Sequence, residues 1–195
     1  NEGKTKPRGR PQRADARRNR ERLLSAARIV FAANGANASL QGIAREAGVG
    51  IGTLYRHFPS RENLYTAVYE HEVDQLVALA ASRTQAPDPV AALRDWLQAL
   101  VSLVATKTGM ISALAISAET KSAVSQATSA RLIDALGSLL DRCVTQKLLR
   151  DALSARDVLH AVVGMCLIQT EPDWQRRVAP MIDVLIDGLR RPAGD

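Results

Sequence analysis

The chain has 195 residues, 46% of them apolar, and a net charge of +6, enough for one sizeable core or one core with a small satellite domain. No uninterrupted apolar run reaches the ~20 residues of a membrane span, and no apolar segment follows the basic N-terminus. A membrane, a signal peptide and an anchor are therefore not expected, and the cytoplasm is the default compartment.

The charge is concentrated. Residues 1 to 22 carry nine basic and three acidic side chains, the whole of the excess, so the rest of the chain is neutral. Residues 1–14 read as a basic, flexible arm. Its run Lys6-Pro7-Arg8-Gly9-Arg10-Pro11 looks like the AT-hook of minor-groove binders: a glycine between two arginines, held extended by prolines, is narrow enough to enter a groove of strong negative potential. Arg8 and Arg10 are its candidate contacts. The alternative is a solvated tail with no DNA role.

From about Asp15 the pattern turns helical, with Leu23, Ala27, Val30 and Phe31 as the apolar stripe and Asn34-Gly35 as the stop. Residues 39–58 then describe two short helices joined by a turn at Gly48. Leu40, Ile43, Ala44 and Ala47 form a stripe on the first helix; Ile51, Leu54, Tyr55 and Phe58 form one on the second. Thr53, Arg56 and His57 remain to face outward. This is a helix-turn-helix, whose second helix enters the major groove of duplex DNA. With such a motif beside it, the basic arm reads as part of a phosphate-binding surface. Gln41 carries an amide that can bond adenine in a bidentate way, with a solvent-facing side chain as the alternative, and Arg56 is the candidate for guanine readout or, failing that, a phosphate contact.

Pro59-Ser60 recaps the chain, and a helix over about 61–82 carries Leu64, Val68, Val73, Leu76 and Leu79. Asp88 with Pro89 starts the next helix, with Leu93, Trp96, Leu97, Leu100, Leu103 and Val104, and a stop is expected near Thr108-Gly109. A short apolar segment, Met110 to Ser117, should follow, then helices over about 122–149, 154–170 (capped by Ser154 with Asp157) and from Asp173, the last containing Pro180. No segment alternates long enough for a strand. The fold class is all-α, with about nine helices.

The order Thr53-Leu54-Tyr55-Arg56-His57-Phe58 followed by Ser60, Arg61, Glu62 and Leu64 resembles the TetR family of bacterial transcriptional regulators. The resemblance covers residues 17 to 65 and implies a helix-turn-helix domain over 15–60, a connecting helix over 61–82 that swings like a pendulum, and a ligand-binding and dimerisation domain over 83–195. It implies a homodimer on a palindromic DNA operator, acting most often as a repressor and released by a small molecule. By the same resemblance Ser39, His57 and Arg61 match phosphate-binding positions, Gln41 a position that reaches base edges, and Thr53 and Tyr55 receive phosphate or base contacts. Gly50 and Gly52 depart from the bulkier residues common at the start of the second helix, which thins direct readout and admits close backbone approach.

In the body, residues 158–168 are apolar on every face, so a partner subunit is expected to cover them. Trp96, Met110, Ile111, Leu114, Met165 and Cys166 are candidate pocket residues, with plain core as the alternative for each. Aromatic residues are 4% of the chain, which disfavours a cationic cage and favours an apolar or amphipathic effector. No cofactor or metal is expected. His57, His71 and His160 form no catalytic or metal spacing, and Glu70-His71-Glu72 reads as a solvated face, so an enzyme is not expected. A ligand-independent DNA-architectural protein and a repressor switched by Cys143 or Cys166 are the other readings.

Overall fold

The computed structural model describes residues 10–167 and 174–191. Among them are eight α-helices and no strand: α1 (Arg10–Asn34), α2 (Leu40–Glu46), α3 (Ile51–His57), α4 (Arg61–Arg83), α5 (Pro89–Leu114), α6 (Ala118–Thr145), α7 (Ala155–Leu167) and α8 (Trp174–Gly188). A single 3-10 turn, Gly35–Asn37, separates α1 from α2.

Short polar side chains set the helix starts. Ser39 Oγ accepts from the Gly42 amide at 3.0 Å and Ser60 Oγ from Asn63 at 3.1 Å. Asp88 accepts from Ala91 at 2.9 Å, with Pro89 opening α5 where its missing N–H costs nothing. Ser154 and Asp157 bond reciprocally, the Asp157 amide to Ser154 Oγ and the Ser154 amide to Asp157 Oδ2. The Ser154 hydroxyl, donating to Asp157 Oδ2 at 2.6 Å, and the Ser154 amide hold the Asp157 carboxyl below its usual range.

Four boundaries differ from the sequence expectation. Helix α1 starts at Arg10, five residues ahead of Asp15, so Arg10-Pro11 is not extended as the AT-hook reading required. Gly109 does not stop α5, which runs on to Leu114 and absorbs most of the segment expected to stand apart; this is why eight helices are found and not nine. The glycine is there for proximity: a Cβ on Gly109 would collide with the Phe31 carbonyl at the end of α1 and lie 3.4 Å from Gly35 Cα. Helix α6 starts earlier than expected, because Ser117 caps it through Thr120, and it ends at Thr145. Asp173 and residues 168–170 lie outside the described residues.

Helix α5 is the centre of the body, with α1, α4, α6, α7 and α8 packed around it. By length and composition it is the one described helix apolar enough to cross a membrane. That apolarity serves burial: Leu93, Trp96, Leu97, Leu100 and Met110 are each 1% exposed or less. Directional bonds tie its neighbours together. Trp96 Nε1 donates to the Leu76 carbonyl of α4 at 2.9 Å, and Arg94 Nε pairs with Asp183 of α8 at 2.6 Å. Arg131 of α6 pairs with Asp74 of α4, and Arg142 of α6 donates to the carbonyls of Arg83 and Ala86 just where α4 ends.

Candidate nucleic-acid interface and effector cavity

The helix-turn-helix is built by burying Ile43, Ala44, Ala47, Leu54 and Phe58 against Leu23, Ala27, Val30 and Phe31 of α1. Its turn depends on Gly48, whose φ is +63°. The Gly48 amide bonds the Arg45 carbonyl and the Val49 amide reaches back to Ala44, both at 3.0 Å. This is a Schellman stop, and a left-handed residue is what it requires. Arg20 of α1 lies over the Phe58 ring at 5.0 Å and fastens the end of α3.

One part of the expected stripe of α3 is corrected. Leu54 and Phe58 are buried, but Tyr55 is 51% exposed and Ile51 38% exposed. Both line a cleft shared with Ser39, Gln41, Arg61 and the end of α5 at Leu114. The structure therefore gathers Ser39, Gln41, Tyr55 and Arg61 on one surface, and it adds Ile51, which sequence periodicity had assigned to the core. On the same helix Arg56 donates to Thr53 Oγ1 at 2.8 Å. That bond places the guanidinium along the outer face. His57 is half-buried, with its ring 6.2 Å from that of Phe58. Gly50 and Gly52 are exposed, with open space where a Cβ would stand, so packing does not demand glycine at either position. Arg8 lies outside the described residues, and only the backbone of Arg10 is described.

In the body, a cavity of about 230 Å³ opens between α4, α5, α6 and α7. Leu100, Leu103, Val104, Ile111, Leu132 and Val163 supply apolar walls; Tyr69, Lys107, Ser125, Ser129 and His160 bring polar groups. Of the six candidate pocket residues, Ile111 alone lines this cavity. Trp96 and Met110 are fully buried core, Cys166 is buried core, Met165 packs against the core, and Leu114 faces the helix-turn-helix cleft. Lys107 and Tyr69 were invisible to periodicity, because the cavity is assembled from four helices and no local spacing marks it.

Lys107 is the cation at this wall. Its Nζ donates to Ser125 Oγ at 2.8 Å and sits 5.0 Å from the Tyr69 ring centroid. Burial lowers its pKa from the ordinary lysine value. Tyr69 is pushed up by burial, opposed by hydrogen bonding with Thr128. Its ring stacks on that of Tyr65 one turn nearer the helix-turn-helix, with centroids 6.1 Å apart. Tyr65 is buried with its hydroxyl unpartnered, and desolvation raises it to about 12. Glu72, expected on a solvated face, is buried as well; desolvation raises its pKa, and Arg28 of α1 at 3.8 Å opposes that shift. No group of His, Cys, Asp and Glu suited to a metal occurs among the described residues.

Both cysteines are buried and free. Desolvation pushes each thiol up to about 11, which keeps them protonated at neutral pH and gives no support to a thiol switch.

Comparison with known proteins agrees with this geometry. Residues 23–68 match the family described as bacterial regulatory proteins, tetR family, and residues 88–191 match the C-terminal domain of SbtR-like transcriptional regulators. A TetR transcriptional regulator from Streptomyces coelicolor is 33% identical, with a TM-score of 0.77 over 89% of this chain and 99% of that one. A TetR transcription regulatory protein from Mycobacterium vanbaalenii is also 33% identical, with a TM-score of 0.70 over 93% and 100% of the two chains. An HTH-type transcriptional regulator of Staphylococcus aureus is 41% identical over 63 residues, 32% of this chain; the chain thus spans 34% of the length of the curated relatives it matches. With its helix-turn-helix, its all-α body and a family match over both, the chain belongs to the TetR family of bacterial transcriptional regulators.

Proposed function

We propose that this regulator is a homodimeric, cytoplasmic repressor that holds a near-palindromic operator through a pair of α3 helices and releases it when a small apolar or amphipathic effector fills the body cavity. The observation that carries the reading is Tyr69. It lines the cavity and belongs to α4, whose first turn, at Arg61, borders the helix-turn-helix cleft. Dimerisation is supported by apolar side chains on α7 and α8: Leu167 is 66% exposed, Val184 73% and Met181 39%, a patch that a second copy would cover.

On the DNA, Ser39, His57 and Arg61 serve phosphates, Gln41 and Arg56 read base edges, and Thr53 and Tyr55 contact phosphate or base. Arg8 and Arg10 add charge from the N-terminal side. Selection of bound duplexes from a random library, followed by sequencing, tests the reading. An inverted repeat with half-sites about one helical turn apart is expected. A single unrepeated site, with a monomer in solution, would overturn the dimer.

A further inference from the structure

The cavity has a polarity that its size and apolar walls do not explain. Lys107 brings an ammonium group into a partly desolvated wall, and among the described residues no carboxylate pairs with it. Its company is one serine hydroxyl and one aromatic face. An ammonium has three donors, and here the structure uses one on Ser125. A cation taken out of water without a counter-charge is unfavourable, and burial already shows its effect by lowering the Lys107 pKa. Such a group gains most from a partner that brings its own negative charge.

The rest of the lining points the same way. No Asp or Glu lines the cavity, whereas Ser125, Ser129 and His160 carry groups able to donate. An organic cation would meet Lys107 with nothing to offset the repulsion. Leu100, Leu103, Leu132 and Val163 leave the remaining wall aliphatic. At about 230 Å³ the space lies below the range of roughly 300–1,000 Å³ typical of drug-sized ligands.

We propose that the effector is a small lipophilic carboxylate, with its head at Lys107 between Ser125 and Tyr69 and its tail among the leucines of α5 and α6. This rests on the effector-controlled reading above and names the chemistry of its ligand. Because Lys107 leans on Tyr69, a carboxylate that takes over the ammonium changes what the α4 side of the cavity is packed against. The site thereby couples to the helix that enters the DNA-binding domain.

The test uses the full chain, calorimetric titration and three probes of one shape: octanoate, 1-octanol and octylamine. Octanoate is expected to bind about tenfold or more tightly than 1-octanol, the gain of a charge-assisted bond, and octylamine more weakly than either. Lys107→Met should erase the preference for octanoate and Lys107→Arg should keep most of it, with thermal melting confirming that both variants are folded. Equal binding of octanoate and 1-octanol, no binding of octanoate, or an unchanged preference in Lys107→Met would overturn the proposal. Fluorescence anisotropy on the selected DNA separates the two readings. Release by 1-octanol as readily as by octanoate overturns the carboxylate and leaves effector control standing. Lys107-dependent binding of octanoate without release of DNA supports the site and overturns effector control.

Discussion

Gly109, in the interior of α5, lies so close to the Phe31 carbonyl at the end of α1 that a single added methyl would overlap that oxygen. The body and the DNA-binding domain meet here backbone to backbone, and glycine is what the closeness requires. Gly109→Ala should force α1 away from α5 and destabilise the chain by about 1–3 kcal/mol, the range for overpacking a tight contact. Thermal denaturation with both variants side by side reads this out. An alanine variant as stable as the parent, or more so, would mean that α1 and α5 do not meet at this distance in solution.

Gly52 makes the opposite prediction. It is exposed on α3 with open space around it, so Gly52→Ala should stabilise the helix by up to about 1 kcal/mol through propensity alone. If the backbone approaches DNA there, the same change should weaken operator binding. A more stable variant with undiminished affinity would remove Gly52 from the interface.

Arg56 and Arg61 should fail differently. Arg56→Ala should cost about 1–3 kcal/mol on the selected operator and relax preference at one base step, while Arg61→Ala should weaken selected and random duplexes alike and shallow the salt slope by about one unit. Equal losses on both DNAs for Arg56→Ala would reassign it to phosphate.

Tyr65 gives a pH dependence whose sign is fixed. A tyrosine in the unfolded chain ionises near pH 10; folded, Tyr65 holds its proton to about 12. The folded state therefore binds the proton more tightly, so this contribution is fully present below about pH 10 and is lost as pH rises toward 12. Tyr65→Phe should fall off less steeply than the parent across that window. At neutral pH it should be unchanged or more stable by up to about 1 kcal/mol, since an unpartnered buried hydroxyl is removed. Urea titrations at pH 7 and above pH 10 measure both, and a marked loss of stability at neutral pH would show that the hydroxyl has a partner.

With thiols raised to about 11, Cys143 and Cys166 should react sluggishly with alkylating reagents in the native protein and readily once it is unfolded. Cys143→Ser combined with Cys166→Ser should retain DNA binding and its control. Loss of control in that double variant would restore the thiol-switch reading.

The helix-turn-helix was legible in the sequence because its signals are local: Ser39 caps one helix, Gly48 supplies the left-handed turn, and apolar residues at helical spacing mark each short helix. Even there the period misled at Ile51 and Tyr55. They keep helical spacing with Leu54 but lie where α2 and α5 leave a cleft, so they face outward. Gly109 reads as a stop until its neighbour Phe31, far away in sequence, is known. Of the cavity, only Ile111 was read from the sequence. Lys107, Ser125 and Tyr69 come from three helices, and each looks like ordinary surface or core until packing brings them together.

The polar fastenings of α4 are unevenly placed along it. Asp74, Leu76 and Arg83 are bonded to α5 and α6, while toward the other end Tyr65 has no partner for its hydroxyl and Glu72 meets Arg28 only at 3.8 Å. If α4 pivots in the proposed effector response, the bonded stretch around Leu76 is its fulcrum. At about 1.5 Å per residue, Tyr69 stands roughly 10 Å from it and Arg61 roughly 22 Å, a mechanical gain of about two. Under the proposed effector response, a cavity wall displaced by about 0.5 Å would move the head of α4 by about 1 Å, more than the whole spread of good hydrogen-bond lengths, about 2.7–3.2 Å, open to a phosphate contact of Arg61.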